Sequence, residues 1–137
     1  MGKSYKIKST GGKKITFKVP DSIRHEEAAN VIIKIIQELS EERPLTYADI
    51  PQLHRLLTAY DSYLSCVDVI SEQGLTMQNI KDETVKRPEA NLLRENWAQY
   101  LDIAKEYGLT PRSRKMTKGT TDTSVGSDAD EFFNSRK

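Results

Sequence analysis

The sequence predicts a mainly α-helical protein. Its expected form is a three-helix unit built on a long antiparallel helical hairpin, with a possible small N-terminal β-hairpin and flexible termini. Three observations carry this. Apolar residues recur three and four apart over residues 51–73 and again over 89–107, which places them on one face of each helix. The intervening LTMQNIKDETVKRP, residues 75–88, has no such period. The first twenty residues alternate apolar and polar instead, on either side of a Gly-Gly pair.

Tyr5 and Ile7 share one face of a first strand, and Ile15, Phe17 and Val19 share one face of a second. Gly11-Gly12 supplies the turn. An isolated two-stranded hairpin is marginal in water, so this one must dock on the body or on a neighbour. The alternative for residues 1–20 is a mobile basic leader.

Asp21 or Ser22 can cap a first helix running to about Leu39, with Ala28, Val31, Ile32, Ile35, Ile36 and Leu39 as its stripe. Ser40 to Pro44 breaks it. Thr46 and Asp49 have the spacing of a weak capping box, and Pro51 must fall in a first turn. The second helix therefore starts near Asp49 or Ile50 and runs to about Gln73, with Gly74 as its stop. Leu53, Leu56, Tyr60, Tyr63, Val67 and Ile70 form a near-heptad seam, widened by Leu57 and Leu64. Such a seam suits antiparallel packing or a subunit interface. Residues 75–88 fit a small hairpin or an ordered loop.

Pro88 opens the third helix, whose stripe is Ala90, Leu93, Trp97, Leu101, Ala104 and Tyr107. Gly108 can take the left-handed conformation that ends it, with Leu109 folding back on the last turn. Thr110 can cap a restart led by Pro111. Arg112, Arg114, Lys115 and Lys118 follow. The expected organisation is a basic leader over 1–20, a helical oligomerisation core over 21–116, and a flexible linker with an acidic-aromatic tail over 117–137. In that tail, Phe132 and Phe133 expose apolar surface with no intrachain reason, which suggests a docking motif.

The 137 residues, 36% hydrophobic and 30% charged, suffice for one helical domain with tails. No run approaches the roughly 20 apolar residues of a membrane span, and the start has cations but no apolar core of a secretory signal. The single Cys66 excludes a disulfide framework and fits core packing in a reducing compartment. The net charge of +1 hides segregation. Residues 1–20 hold Lys3, Lys6, Lys8, Lys13, Lys14 and Lys18 and no acid. Residues 21–111 hold nine Lys/Arg against sixteen Asp/Glu. An acidic middle bounded by basic segments fits local polyanion contacts made by arms.

No catalytic constellation is visible. His25 lacks the second histidine of a zinc helix at i+4, where Ala29 stands. His25 and His54 read as solvent-edge residues. Gly12-Lys13 lacks the remaining positions of a phosphate loop. The sequence therefore suggests no enzyme, no metal and no cofactor. Tyr60, Tyr63, Tyr100 and Tyr107 share the apolar stripes and read as core or interface residues. The candidate phosphate contacts are Lys3, Lys6, Lys8, Lys13, Lys14, Lys18, Arg112, Arg114, Lys115 and Lys118.

The run Gly108-Leu109-Thr110-Pro111-Arg112-Ser113-Arg114 resembles the C-terminal signature of phage terminase small subunits. Leu45, Thr46, Asp49 and Gly74 match that family's preceding helix, and Pro88 its final one. The resemblance covers roughly residues 28–117. It departs from the family in the loop 75–87, which lacks a second glycine often found there, and at Arg87, where the family often has Asn or His. The resemblance implies a non-catalytic, ring-forming adaptor in the host cell cytoplasm. Such an adaptor binds viral double-stranded DNA and recruits or regulates the large ATPase/nuclease subunit. On that reading Leu53, Leu56, Tyr60, Tyr63, Val67, Ile70, Trp97, Tyr100 and Leu101 build subunit contacts, the cations touch DNA, and Phe132-Phe133 docks on the large subunit. The alternatives are a protein-interaction scaffold without DNA contact and a small helix-turn-helix regulator.

Overall fold

A computed structural model describes residues 3–115. In chain order it contains β1 (Ser4–Lys8), β2 (Lys14–Lys18), α1 (Glu26–Glu42), α2 (Asp49–Gln73), β3 (Thr76–Gln78), β4 (Thr84–Lys86) and α3 (Pro88–Glu106). The protein is mainly helical, as its sequence predicts. Two compact units divide it, the first ending at Tyr100 and the second beginning at Leu101.

In the first unit, β1 and β2 pair antiparallel, with Ile7 opposite Ile15 and Tyr5 opposite Phe17. Gly11 and Gly12 both take positive φ, 79° and 78°, in the connecting turn. The inner face of this hairpin is core: Ile7, Ile15, Phe17 and Val19 are buried together with Ile32, Ile36, Leu53, Leu56 and Leu57. The Phe17 ring packs 4.8 Å from that of His54, whose Nε2 lies 2.8 Å from the carbonyl of Lys18. The amide of Leu45 donates to the carbonyl of Lys8, tying β1 to the segment after α1. The hairpin thus gains the docking partner that a two-stranded sheet needs.

Helix α1 begins four residues later than Ser22 and ends three later than Leu39. Residues 20–23 form a turn, in which the amide of Ile23 donates to the carbonyl of Pro20. Neither Asp21 nor Ser22 caps the helix. Asp61, on α2, does so instead: its carboxylate accepts the amides of Arg24 and His25. The buried stripe is also rotated from the expected one. Ala29 and Ile33 are buried, while Val31 is 48% exposed and Ile35 intermediate.

Helix α2 starts at Asp49, whose carboxylate accepts the amide of Thr46, and stops at Gly74. β3 and β4 form the small hairpin between the long helices. It turns without a second glycine because Asp82 takes the positive φ, 62°, and the Asn79 side chain accepts the amides of Lys81 and Glu83. Arg87 binds its base. The guanidinium donates to the carbonyls of Gln73, Gly74 and Thr76 and to the Gln73 side chain. Within this unit α2 and the start of α3 run antiparallel, joined by Arg55–Gln99, Tyr60–Tyr100, Tyr63–Trp97 and Cys66–Asn96. Cys66 is buried, and burial pushes its thiol pKa up, as suits a packing residue.

In the second unit, α3 ends at Gly108, φ 68°. The amide of Leu109 donates to the carbonyl of Ala104 and that of Gly108 to Lys105, the Schellman pattern. Residues 111–115 are helical. Thr110 and Ser113 cap them reciprocally: the Thr110 hydroxyl accepts the Ser113 amide, and the Ser113 hydroxyl accepts the Thr110 amide.

Candidate nucleic-acid interface

The alternation that buries Ile7, Ile15 and Phe17 turns Ser4, Lys6, Lys8, Lys14, Thr16 and Lys18 outward, all exposed. The register sets Lys8 directly across from Lys14, Lys6 from Thr16 and Ser4 from Lys18. Four lysines therefore share one outer face of a ribbon anchored from behind by its own apolar residues. Lys6 donates to the Thr16 hydroxyl at 2.8 Å. Lys8 pairs with Glu41 at 2.7 Å and Lys3 with Glu26 at 3.6 Å, all four side chains more than half exposed. Such pairs are weak and screened by salt. Lys13 is exposed in the turn.

Helix α1 forms one wall beside this ribbon. Lys6, Lys8 and Lys14 line a shallow groove of about 400 Å³ with Lys34, Glu38 and Glu41. The acidic local sequence around Lys34 carries no sign of a basic site. Only the packing of α1 against β1 brings it there.

Helix α1 is held in place by His25. Its Nδ1 lies 2.8 Å from Asp61 and its Nε2 2.7 Å from Asp68. Both ring nitrogens can donate only from the protonated ring. The hydrogen bond to Asp68, then that to Asp61, raises the His25 pKa against the opposing effect of burial. Neither histidine is thus the solvent-edge residue its sequence suggests: His25 clamps two helices and His54 anchors β2. Among the described residues, no group of three or more His, Cys, Asp or Glu could hold a metal ion.

The second basic cluster belongs to the second unit. Arg112, Arg114 and Lys115 are exposed on the turn capped by Thr110, while Lys118, Phe132 and Phe133 lie outside the described residues.

The residues expected at a subunit interface divide in two. Leu53 and Leu56 are fully buried in the first unit. Tyr60, Tyr63, Val67, Ile70 and Tyr100 are only partly buried, and Trp97 is 38% exposed. Tyr60, Tyr63, Trp97 and Tyr100 form one ring cluster, with neighbouring centroids 5.0 to 6.4 Å apart. Burial, and then the neighbouring Tyr60, raise the Tyr100 pKa. Leu101, in the second unit, is partly buried.

A family model described as phage terminase, small subunit, matches residues 28–124. That span contains α1 from its first buried residue, the α2–α3 arrangement and the Gly108–Arg114 signature. The chain belongs to this family. No curated protein and no solved structure matches it. As a terminase small subunit it has a role in phage DNA packaging, and such subunits are generally non-catalytic. The β1–β2 hairpin lies N-terminal to the family match, so its lysine face has to be understood from its own geometry. No helix among the described residues is long and apolar enough to cross a membrane.

Proposed function

We propose that this terminase small subunit is an oligomeric adaptor working in the host cell cytoplasm. It binds viral double-stranded DNA through the outer face of β1–β2 and presents the large subunit to that DNA. The observation carrying the DNA contact is the exposed set Lys6, Lys8, Lys14 and Lys18 on one face of an anchored ribbon. A rigid row of cations at strand spacing can follow a phosphate backbone without reading bases. Arg112, Arg114, Lys115 and Lys118 add a second contact.

Self-assembly is supported by the half-exposed aromatic cluster. Tyr60, Tyr63, Trp97 and Tyr100 offer the aromatic surface that subunit interfaces favour, and Val67 and Ile70, further along α2, are only partly buried. Trp97 is the most exposed of the four rings and the natural anchor. Phe132-Phe133 is proposed to dock on the large subunit.

The test combines a native mass with an electrophoretic shift. A closed oligomer that shifts viral and unrelated duplex DNA at near-physiological salt supports the proposal. A monomer at micromolar concentration contradicts the assembly. An oligomer that binds the large subunit but shifts no DNA favours the scaffold reading instead.

A further inference from the structure

We propose that α1 tunes the grip of the hairpin on DNA. Lys34 extends the lysine face across the groove, and Glu38 and Glu41 restrain it by competing with phosphate. The inference rests on reading β1–β2 as a DNA contact.

Lys34, Glu38 and Glu41 stand at i, i+4 and i+7 on one face of α1. That face borders Lys6, Lys8 and Lys14. Among the described residues neither Lys14 nor Lys34 forms an ion pair, so both are available to phosphate. Lys8 is not: Glu41 holds its ammonium at 2.7 Å. This pair has a structural use, because Lys8 and Lys14 are directly opposed across the strands and repel. Glu41 relieves that repulsion in the free protein. A phosphate entering the groove relieves it equally well and takes over Lys8, since an exposed ion pair is easily exchanged. The carboxylates then face a polyanion across the groove, which costs affinity for any DNA that only grazes the ribbon.

A purely structural Glu41 and a restraining Glu41 give opposite signs. Loss of its charge should slightly weaken the hairpin yet strengthen DNA binding. The probe is a mixed-sequence duplex, titrated by fluorescence anisotropy with the full chain across a salt series. Glu41→Gln should bind about threefold tighter, with a salt slope steeper by about 0.9 per engaged protomer, because no freed carboxylate takes up a counterion when Lys8 turns to phosphate. Lys34→Ala should bind more weakly, with a slope shallower by about 0.9. Glu72→Gln, on the last turn of α2, controls for net charge. Equal gains from Glu41→Gln and Glu72→Gln would overturn the proposal, as would an unchanged slope in Lys34→Ala. If Lys6→Gln weakens binding while Glu41→Gln and Lys34→Ala are silent, the hairpin contact stands and the tuning falls. If the wild type binds no duplex, both fall together.

Discussion

Asp61 accepts the backbone amide of His25 at 2.9 Å and faces its Nδ1 at 2.8 Å, so one carboxylate of α2 caps α1 and holds its first side chain. Asp61 is buried, and Arg24 uses the same carboxylate. Its removal leaves amides at the α1 N-terminus without an acceptor. Asp61→Ala should therefore cost about 2–3 kcal/mol in urea unfolding, and Asp61→Asn clearly less, because one carbonyl acceptor survives. Equal losses from the two would show that one neutral acceptor of the same shape does not replace the carboxylate.

The same pair gives the protein a pH dependence. The folded-state pKa of His25 lies above its ordinary value of 6.5. The resulting stabilisation is complete below the unfolded pKa and disappears as pH rises through the folded value. Asp68 is the larger cause of the shift. Asp68→Asn should thus destabilise measurably at about pH 5.5 and little at about pH 8.5. A penalty that grows toward alkaline pH would contradict this sign.

Arg87 closes the junction between α2, the β3–β4 hairpin and α3, with its guanidinium spread over three carbonyls and the Gln73 amide. Arg87→Ala should cost about 1–3 kcal/mol and lower hydrogen-exchange protection across residues 76–86. Arg87→Lys should recover little, since an ammonium cannot reproduce the planar fork.

Gly108 ends α3 with positive φ, and the two hydrogen bonds behind it require that conformation. Gly108→Ala should cost about 1–2 kcal/mol through the left-handed backbone alone. Calorimetric unfolding reads that loss.

What the sequence makes legible follows from the range of each interaction. Gly108, Thr110 and Pro111 act within a few residues, and the stop, the cap and the restart all appear where their chemistry places them. Gly11-Gly12 and the alternation around it likewise specify the hairpin and its register. The start of α1 is different. Asp21 and Ser22 are good caps locally, but Asp61, 36 residues from His25, outcompetes them by tertiary placement. The stripe of α1 is rotated for a related reason. β1 packs on that helix as well as α2, so the buried face widens to include Ala29 and Ile33. Leu53 and Leu56 look like interface residues in a periodic seam, yet both are fully buried within the first unit. Lys34 has no local signal at all.

The outer face of β1–β2 is the proposed DNA contact, and the most direct test is the salt dependence of duplex binding. Lys6→Gln, Lys14→Gln and Lys18→Gln are combined in one full-length protein; all three side chains are exposed, so the fold should persist by circular dichroism. Removing three phosphate contacts should flatten the slope of log affinity against log salt by about 2.7 per engaged protomer and weaken binding to viral and unrelated duplexes alike. A triple variant that keeps both the affinity and the slope of the wild type would contradict the account and move the DNA contact elsewhere on the chain.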